Sequence, residues 1–450
     1  MNDWRPVVTV AGPMLLAELA GALVPQIVLA LMSRMGEEAL YIRALFMPVF
    51  FLFIAIETAI GVTNQVAVAR ATGRQETTAM ASAAHLARVC LLAVLMVGGL
   101  LALSAPLLAD TFSVHPDVRD DFEWFVRWVA LAHVSLVGPV VCAATLRGAG
   151  LARPAALVLL VSAALEVATV TVLGLPGLIG WGIWSVPFAI AGSGLIGTAV
   201  GLWLLRRSGL WKRGEPVGRR RETALLQQVG IPVAITYLVI FASAAVLTWV
   251  VSTQGPIVVS GFAVAYGVQT VIIVPGVVIG SATAIIVNQH YGAESRDRIA
   301  HTVRGGLTVA AVTYLFLALI SWAARTPLTG LLADDPSVAA EAARYLEIVA
   351  PGYACMGLVL AALTLLEQIG GGLLAVTMNV IYFAAICVVG GMLSRTAGDV
   401  EPLYWTMTVA SVVGLSALWV VHRFIARTAQ PSAPQVVLPE GPSQATYDLE

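Results

Sequence analysis

The sequence predicts an all-α polytopic membrane protein, with twelve transmembrane helices in two six-helix lobes related by a pseudo-two-fold axis along the membrane normal. Three observations carry this. The 450 residues are 59% hydrophobic and only 11% charged, with a mean hydropathy of +0.88, far from the mix of a soluble domain. Apolar runs of roughly 20 residues or more recur along the whole chain, each long enough to cross a hydrocarbon core of about 30 Å. The second half also repeats the first at a nearly constant offset.

In order, apolar runs at approximately 8–32, 40–66, 84–108, 122–145, 155–175 and 178–205 form an N-terminal lobe, residues 1–205. A basic linker follows at 206–228. Runs at approximately 229–251, 258–286, 303–323, 343–365, 373–393 and 403–425 form the C-terminal lobe, 229–427. Residues 428–450, rich in Pro, Ser and Gln, are expected to be a disordered tail. No positive, apolar, small-residue leader precedes the first run, which is therefore expected to be a retained span.

Arginines set the orientation. One side of the predicted topology holds only Arg34, Arg119, Arg325, Arg344 and Arg395, whereas the other holds most of the rest, including the run "RRSGLWKRGEPVGRRR" at 206–221. The positive-inside rule places both termini in the cytoplasm of a multi-pass protein of the cell membrane. A net charge of −1 offers no basic surface for nucleic acid. Cys90, Cys142, Cys355 and Cys387 all fall inside apolar runs, so neither a disulfide framework nor a metal-ligand spacing is read, and no cofactor is expected.

The repeat rests on residues that constrain the backbone. An offset of 219 aligns Pro13 with Pro232, Gly36 with Gly255, Gly61 with Gly280 and Gly73 with Gly292, together with apolar matches such as Val10 with Val229 and Val68 with Val287. An offset of 220 pairs Pro116 with Pro336 and Phe125 with Tyr345. Six spans per unit bring both copies in from the same side. Two facing lobes make a central cleft that opens to one side at a time, which is the architecture of an alternating-access transporter, expected to be monomeric.

Ionisable residues inside the spans are the candidate machinery: Glu18, Arg43, Glu57, Arg127, His133 and Glu166. In the second lobe Glu347 and Glu367 come close but sit near span ends, so the polar cost falls in the first lobe. A carboxylate at mid-membrane costs on the order of 2.5–3.5 kcal/mol and must face a cavity, find a partner or take a proton. Glu166, Glu18 and Glu57, with His133, are the proton or ion coupling candidates. Glu18 and Glu57 should lie level, and neither Glu18 nor Glu166 has a basic partner on its own helix. His133 fits either a proton relay or a structural hydrogen bond to a neighbouring backbone. Arg43 and Arg127 lie near the external surface, where they can reach outward or pair with acids such as Glu38 or Asp121. Trp181, Trp184, Tyr237 and Tyr266 are candidates to line a cleft for an organic cation, with interfacial or lipid-facing anchoring as the other reading. Enzymatic readings lack their chemistry: no His-Glu-x-x-His occurs and every Asp lies in a predicted loop, linker or tail.

"GPMLLAEL", "SRMGEEAL", "VAVARATGRQE" and "LRGAGLARP", in this order and spacing and with partial recurrence in the second half, resemble the multidrug and toxic compound extrusion (MATE) family. The resemblance spans essentially the whole chain. It implies a polyspecific exporter of organic, often cationic, compounds driven by inward H+ or Na+ flow. The family's acidic positions in spans 1 and 5 fall at Val28 and Val170, and that in span 7 falls near Ile240, so its usual ion-site residues do not carry over. Glu166 stands one helical turn before Val170. The expected function is export of organic compounds in exchange for H+, coupled at Glu166 with Glu18, Glu57 and His133. Sodium is less favoured, because a cage of several hard oxygen ligands is not evident. A lipid-linked saccharide flippase of the same superfamily, a dedicated metabolite exporter and a major-facilitator transporter are the alternatives; the last lacks its loop Asp in "ARATGR".

Overall fold

The structure, a computed structural model, describes residues 4–76, 79–211 and 219–429. The first lobe is built from α1 (Arg5–Met32), α2 (Glu37–Gly73), α3 (Ala79–Thr111), α4 (Arg119–Ala132), α5 (Val137–Gly148), α6 (Ala152–Gly174) and α7 (Ser185–Arg207). After α8 (Arg219–Leu225) the second lobe runs through α9 (Ile231–Ser252), α10 (Pro256–Gly292), α11 (Arg296–Ala323), α12 (Arg325–Leu332), α13 (Pro336–Val349), α14 (Tyr353–Leu366), α15 (Gly372–Ala385), α16 (Gly391–Ala397), α17 (Glu401–Gly414) and α18 (Ser416–Ala429). Eleven helical stretches among the described residues are long and apolar enough to span a membrane. One of them, Pro336–Ala397, is broken at Gly370, whose φ of 109° leaves the helical region, so it supplies two spans and makes twelve.

The two halves are copies in detail. α2 and α10 each have 37 residues, and both begin after a glycine in positive-φ backbone, Gly36 at 130° and Gly255 at 101°. Side chains rarely adopt that conformation, so the turn between the first two helices of each lobe needs glycine. Two residues after each helix end, Gln75 and Glu294 take left-handed φ values of 57° and 56°, again at the repeat offset. Pro232 follows directly on the π-helical turn Leu226–Gly230, which accommodates its missing N–H, while Pro13, Pro25 and Pro275 lie inside α1 and α10.

The linker is not one uniform segment. α7 continues to Arg207, residues 212–218 lie outside the described ones, and α8 runs through a π-helical turn, Leu226–Gly230, into α9. Of the expected tail, 430–450 lies outside the described residues. Arg206 and Arg207 cover the rings of Trp211 and Trp203, and Arg423 covers Trp419, on the face that carries the N-terminus, called the near face; Arg325 on Trp322 and Arg395 on Trp249 do the same on the far face. Such basic–aromatic pairs suit the two boundaries of a bilayer.

The lobes meet at the near face. A Cβ on Gly73 would stand 2.0 Å from the Gln289 carbonyl oxygen, and one on Gly292 would stand 2.2 Å from that of Arg70 and 3.0 Å from the Gly73 Cα. The two glycines that the repeat equates thus touch one another, and the pseudo-two-fold axis passes between them. Above them the side chains bond across: Arg70 Nε donates to Asn288 Oδ1 at 2.8 Å, and Gln65 Nε2 donates to Ser281 Oγ at 2.9 Å and to Gln368 Oε1 at 3.2 Å. Gln289 Nε2 donates to the Gly148 carbonyl at 3.1 Å. Ala11, Met14 and Ala69 pack with Ile279, Ala282 and Ile285 beside this seam. The Phe51 and Phe241 rings stack 4.0 Å apart at mid-depth, and beyond them no hydrogen bond among the described residues joins the lobes.

Gly292→Val places a side chain where backbone now sits and must push α10 from α2. Thermal unfolding in lipid nanodiscs should show a loss of about 3 kcal/mol or more, as overpacking against rigid backbone does, whereas Gly99→Val, with open space around its Cβ, should stay close to the parent.

Candidate functional site

Within the first lobe, two helices and a 3-10 turn bring ionisable groups into one interior region. Arg43 and Glu57 come from α2, Glu166 from α6, and His133 from a short 3-10 turn, His133–Leu136, between α4 and α5. Glu166 interacts electrostatically with both Arg43 and Glu57, and Arg43 also acts on His133. Cys90 of α3 lies within range of Glu57. This set therefore holds two carboxylates, one guanidinium and one imidazole.

Arg43 departs from its sequence reading. Instead of reaching outward it is 3% exposed, with its guanidinium 4.7 Å over the Phe50 ring. An Arg stem near a lipid boundary can point either way, and the carboxylates below decide the direction. Its Nε and Glu57 Oε1 are buried without a hydrogen-bond partner in the protein. Arg127 does pair with an external acid, but the acid is Glu123, one turn away at 3.0 Å, rather than Glu38 or Asp121. His133 is 1% exposed; its Nδ1 lies 2.8 Å from the Val129 carbonyl, and its ring stacks on Phe53 at 4.3 Å. The backbone bond anticipated for His133 is present.

Glu18 stands apart from these groups. Its Oε1 accepts from Arg147 of α5 at 2.6 Å, and its side chain keeps 41% of its exposure. Counting partners on the same helix missed this pair, because the arginine comes from the turn before span 5. Tyr237 joins the region from the other lobe: it lies beside Thr58 of α2 and within electrostatic range of Glu18, Glu367 and Arg147. Glu367, which the sequence places near a span end, is 6% exposed and accepts from Thr236 at 2.8 Å. A clue existed, since the offset of 220 sets Glu367 opposite Arg147 with the charge inverted.

Of the aromatic candidates, only Tyr237 lies at the interface between lobes. Tyr266 stacks on Phe262 inside the second lobe at 5.3 Å, beside the buried Tyr345, Tyr353 and Tyr404. Trp181 is exposed against Phe188, and Trp184 meets Trp124, which stacks on Trp128, so both belong to a far-face aromatic group instead of the interior. Their anchoring reading fits this placement. The four cysteines are free thiols.

Twelve spans in two like lobes, meeting at one end and holding charge inside, define a membrane-transporter fold. A family model described as MatE matches residues 13–172 and 232–393, one block in each lobe, and the chain belongs to that family of transporters. Among curated proteins it is similar to a probable multidrug resistance protein NorM of Aromatoleum aromaticum, 26% identical over 124 residues, or 28% of this chain and 27% of that one. It is also similar to a probable multidrug resistance protein YpnP of Bacillus subtilis, 24% identical over 162 residues, or 36% of each. The aligned segments thus span about a third or less of those relatives. Among solved structures, the Vibrio cholerae MATE transporter VcmN in its bent form superposes with a TM-score of 0.87 at 16% identity, over 95% of this chain and 98% of that one. A MOP superfamily transporter from Pyrococcus furiosus does so with a TM-score of 0.85 at 16% identity, over 96% and 98%. At these identities the likeness is one of fold.

Arg43→Met would remove the cation that acts on Glu166 and leave that carboxylate with Glu57 alone. Unfolding in nanodiscs should show a loss of about 3–5 kcal/mol at neutral pH, the usual result of stranding a buried charge. His133→Phe keeps the ring stack and should cost less; an equal or larger loss would mean the backbone bond of His133 dominates.

Proposed function

We propose that the protein is a secondary active exporter of organic, cationic or amphipathic compounds, working by alternating access in exchange for protons. The single observation that carries the coupling is the count inside the first lobe: Glu57 and Glu166 interact with each other, and Arg43, which acts on Glu166, is the one counter-charge among the described groups of this region. Electroneutrality in a low-dielectric interior then requires one more positive charge, and a proton or a cationic substrate can supply it. Whichever binds weakens the other, which is the thermodynamic basis of exchange. Glu166 and Glu57 are the coupling carboxylates in this reading. Glu18, neutralised by Arg147, is a gate residue, and His133 fixes the turn that carries it.

The arginine distribution makes the near face cytoplasmic, with both termini inside the cell. The seam at Gly73 and Gly292 then closes the cytoplasmic side, and the state described faces outward. Tyr237, beside Thr58, stands where substrate would pass when that seam opens.

Efflux of a fluorescent organic cation from proteoliposomes, with proton and sodium gradients imposed separately, tests this. A proton gradient alone should drive export. Glu166→Gln should lower proton-driven export at least tenfold, about 1.4 kcal/mol in coupling, with the protein still folded, and Glu57→Gln should do the same. Export that follows sodium alone, or a Glu166→Gln protein as active as the parent, would sink the proposal.

A further inference from the structure

A further buried carboxylate with an unpartnered oxygen lies on the near face, under the described part of the linker. α8 packs beneath the first lobe, leaving Glu222 2% and Leu225 6% exposed. Glu222 Oε1 accepts from the Ser82 hydroxyl of α3 at 2.8 Å. Its Oε2 is buried, and no protein donor reaches it. Glu222 and Ser82 both line a small cavity of ≈10 Å³, room for about one water-sized group, whose walls include Ala67, Glu76 and Arg221.

The neighbouring charges leave Glu222 uncompensated. Glu76 is taken by Arg74 at 3.0 Å and by Arg221 at 3.7 Å, and no ion pair to Glu222 occurs among the described residues. A buried carboxylate in that position is costly unless a cation or donor completes it. Two carboxylates, Glu76 and Glu222, stand here with two arginines, Arg74 and Arg221, so the unmet need is a partner for the single oxygen Oε2 of Glu222, and no group of three or more acidic, His or Cys side chains able to hold a metal ion occurs among the described residues. A divalent ion needs more oxygen ligands than that.

We propose that this cavity binds a small monovalent cation, held by the Glu222 carboxylate and the Ser82 hydroxyl, and that its occupancy fastens α8 to the first lobe. The position gives such a site mechanical meaning. α8 passes through the π-helical turn Leu226–Gly230 directly into α9, so the segment clamped to the first lobe is continuous with the first helix of the second. π-helical turns are common at functional sites. The turn already touches α2, since a Cβ on Gly230 would stand 2.6 Å from Thr63 Oγ1. Binding at Glu222 therefore stabilises the arrangement in which the near face is shut. This does not depend on which compound is exported or which ion drives export.

The test is amide hydrogen exchange over residues 219–230 of the full chain in lipid nanodiscs, in sodium, potassium and choline chloride at equal ionic strength. Sodium or potassium should slow exchange of the α8 amides about tenfold relative to choline when present at ten times its Kd, with saturating concentration dependence. Glu222→Gln should abolish the difference between salts, and Ser82→Ala should weaken cation affinity several-fold. Equal protection in all three salts, or an undiminished cation effect in Glu222→Gln, would overturn the proposal. Should Glu222→Gln fail to fold, Ser82→Ala decides, and unchanged cation affinity in that variant counts against the site.

Discussion

The arrangement of this molecule depends on the approach of two backbones, those of α2 and α10 at the near face. In lipid there is little hydrophobic gain from bringing helices together, so association rests on close packing and on polar bonds. Gly73 and Gly292 provide the first by having no side chain where the other helix runs. Arg70, Gln65 and Gln289 provide the second, each bonded to a group of the other lobe or its margin. Every one of these polar groups would be costly to leave unpaired in hydrocarbon. When the seam opens, water can take over those bonds, so the closure can be undone without breaking an apolar core.

Charge is distributed in keeping with such an opening. Glu18 pairs with Arg147 within the first lobe, and Glu367 is capped by Thr236 within the second. Across the seam pass neutral contacts such as Gln65 to Gln368, and one arginine, Arg70, bonded to the neutral amide of Asn288, while Arg221 of α8 reaches Glu76 at 3.7 Å. Separating the lobes therefore exposes Arg70 without breaking a buried carboxylate–guanidinium pair at the seam. Glu57 and Glu166, which interact with each other, both lie inside the first lobe, away from the seam.

Much of the fold was legible because it obeys backbone rules that survive sequence divergence. The offset of 219 joined Gly36 with Gly255 and Gly73 with Gly292, and each pair turned out to serve the same geometric need in both lobes. The site was legible in part. Glu166 and Glu57 stood out as carboxylates in apolar runs, and the structure brings them together with Arg43. Where a long side chain points was not legible: Arg43 turned inward and Arg147 turned toward α1, since the partners that decide lie more than a hundred residues away for both pairs. Trp181 and Trp184 could be read as cleft or interface because aromatic rings suit both, and only neighbours such as Trp124 and Phe188 separate the two. Glu222 was hidden for another reason. It belongs to a basic run that looks like a solvated linker, and its burial arises only when α8 docks.

The equal length of α2 and α10 has an evolutionary consequence. Each starts at a positive-φ glycine and must deliver another glycine to the axis 37 residues later, so the two helices act as matched rulers. One inserted residue would carry the end of a ruler about 1.5 Å further and turn it by about 100°, replacing glycine at the crossing with a side chain. Length changes should therefore be purged from these two helices even while their composition drifts, and descendants of the ancestral duplication should vary in their loops and outer helices while keeping this one measurement fixed.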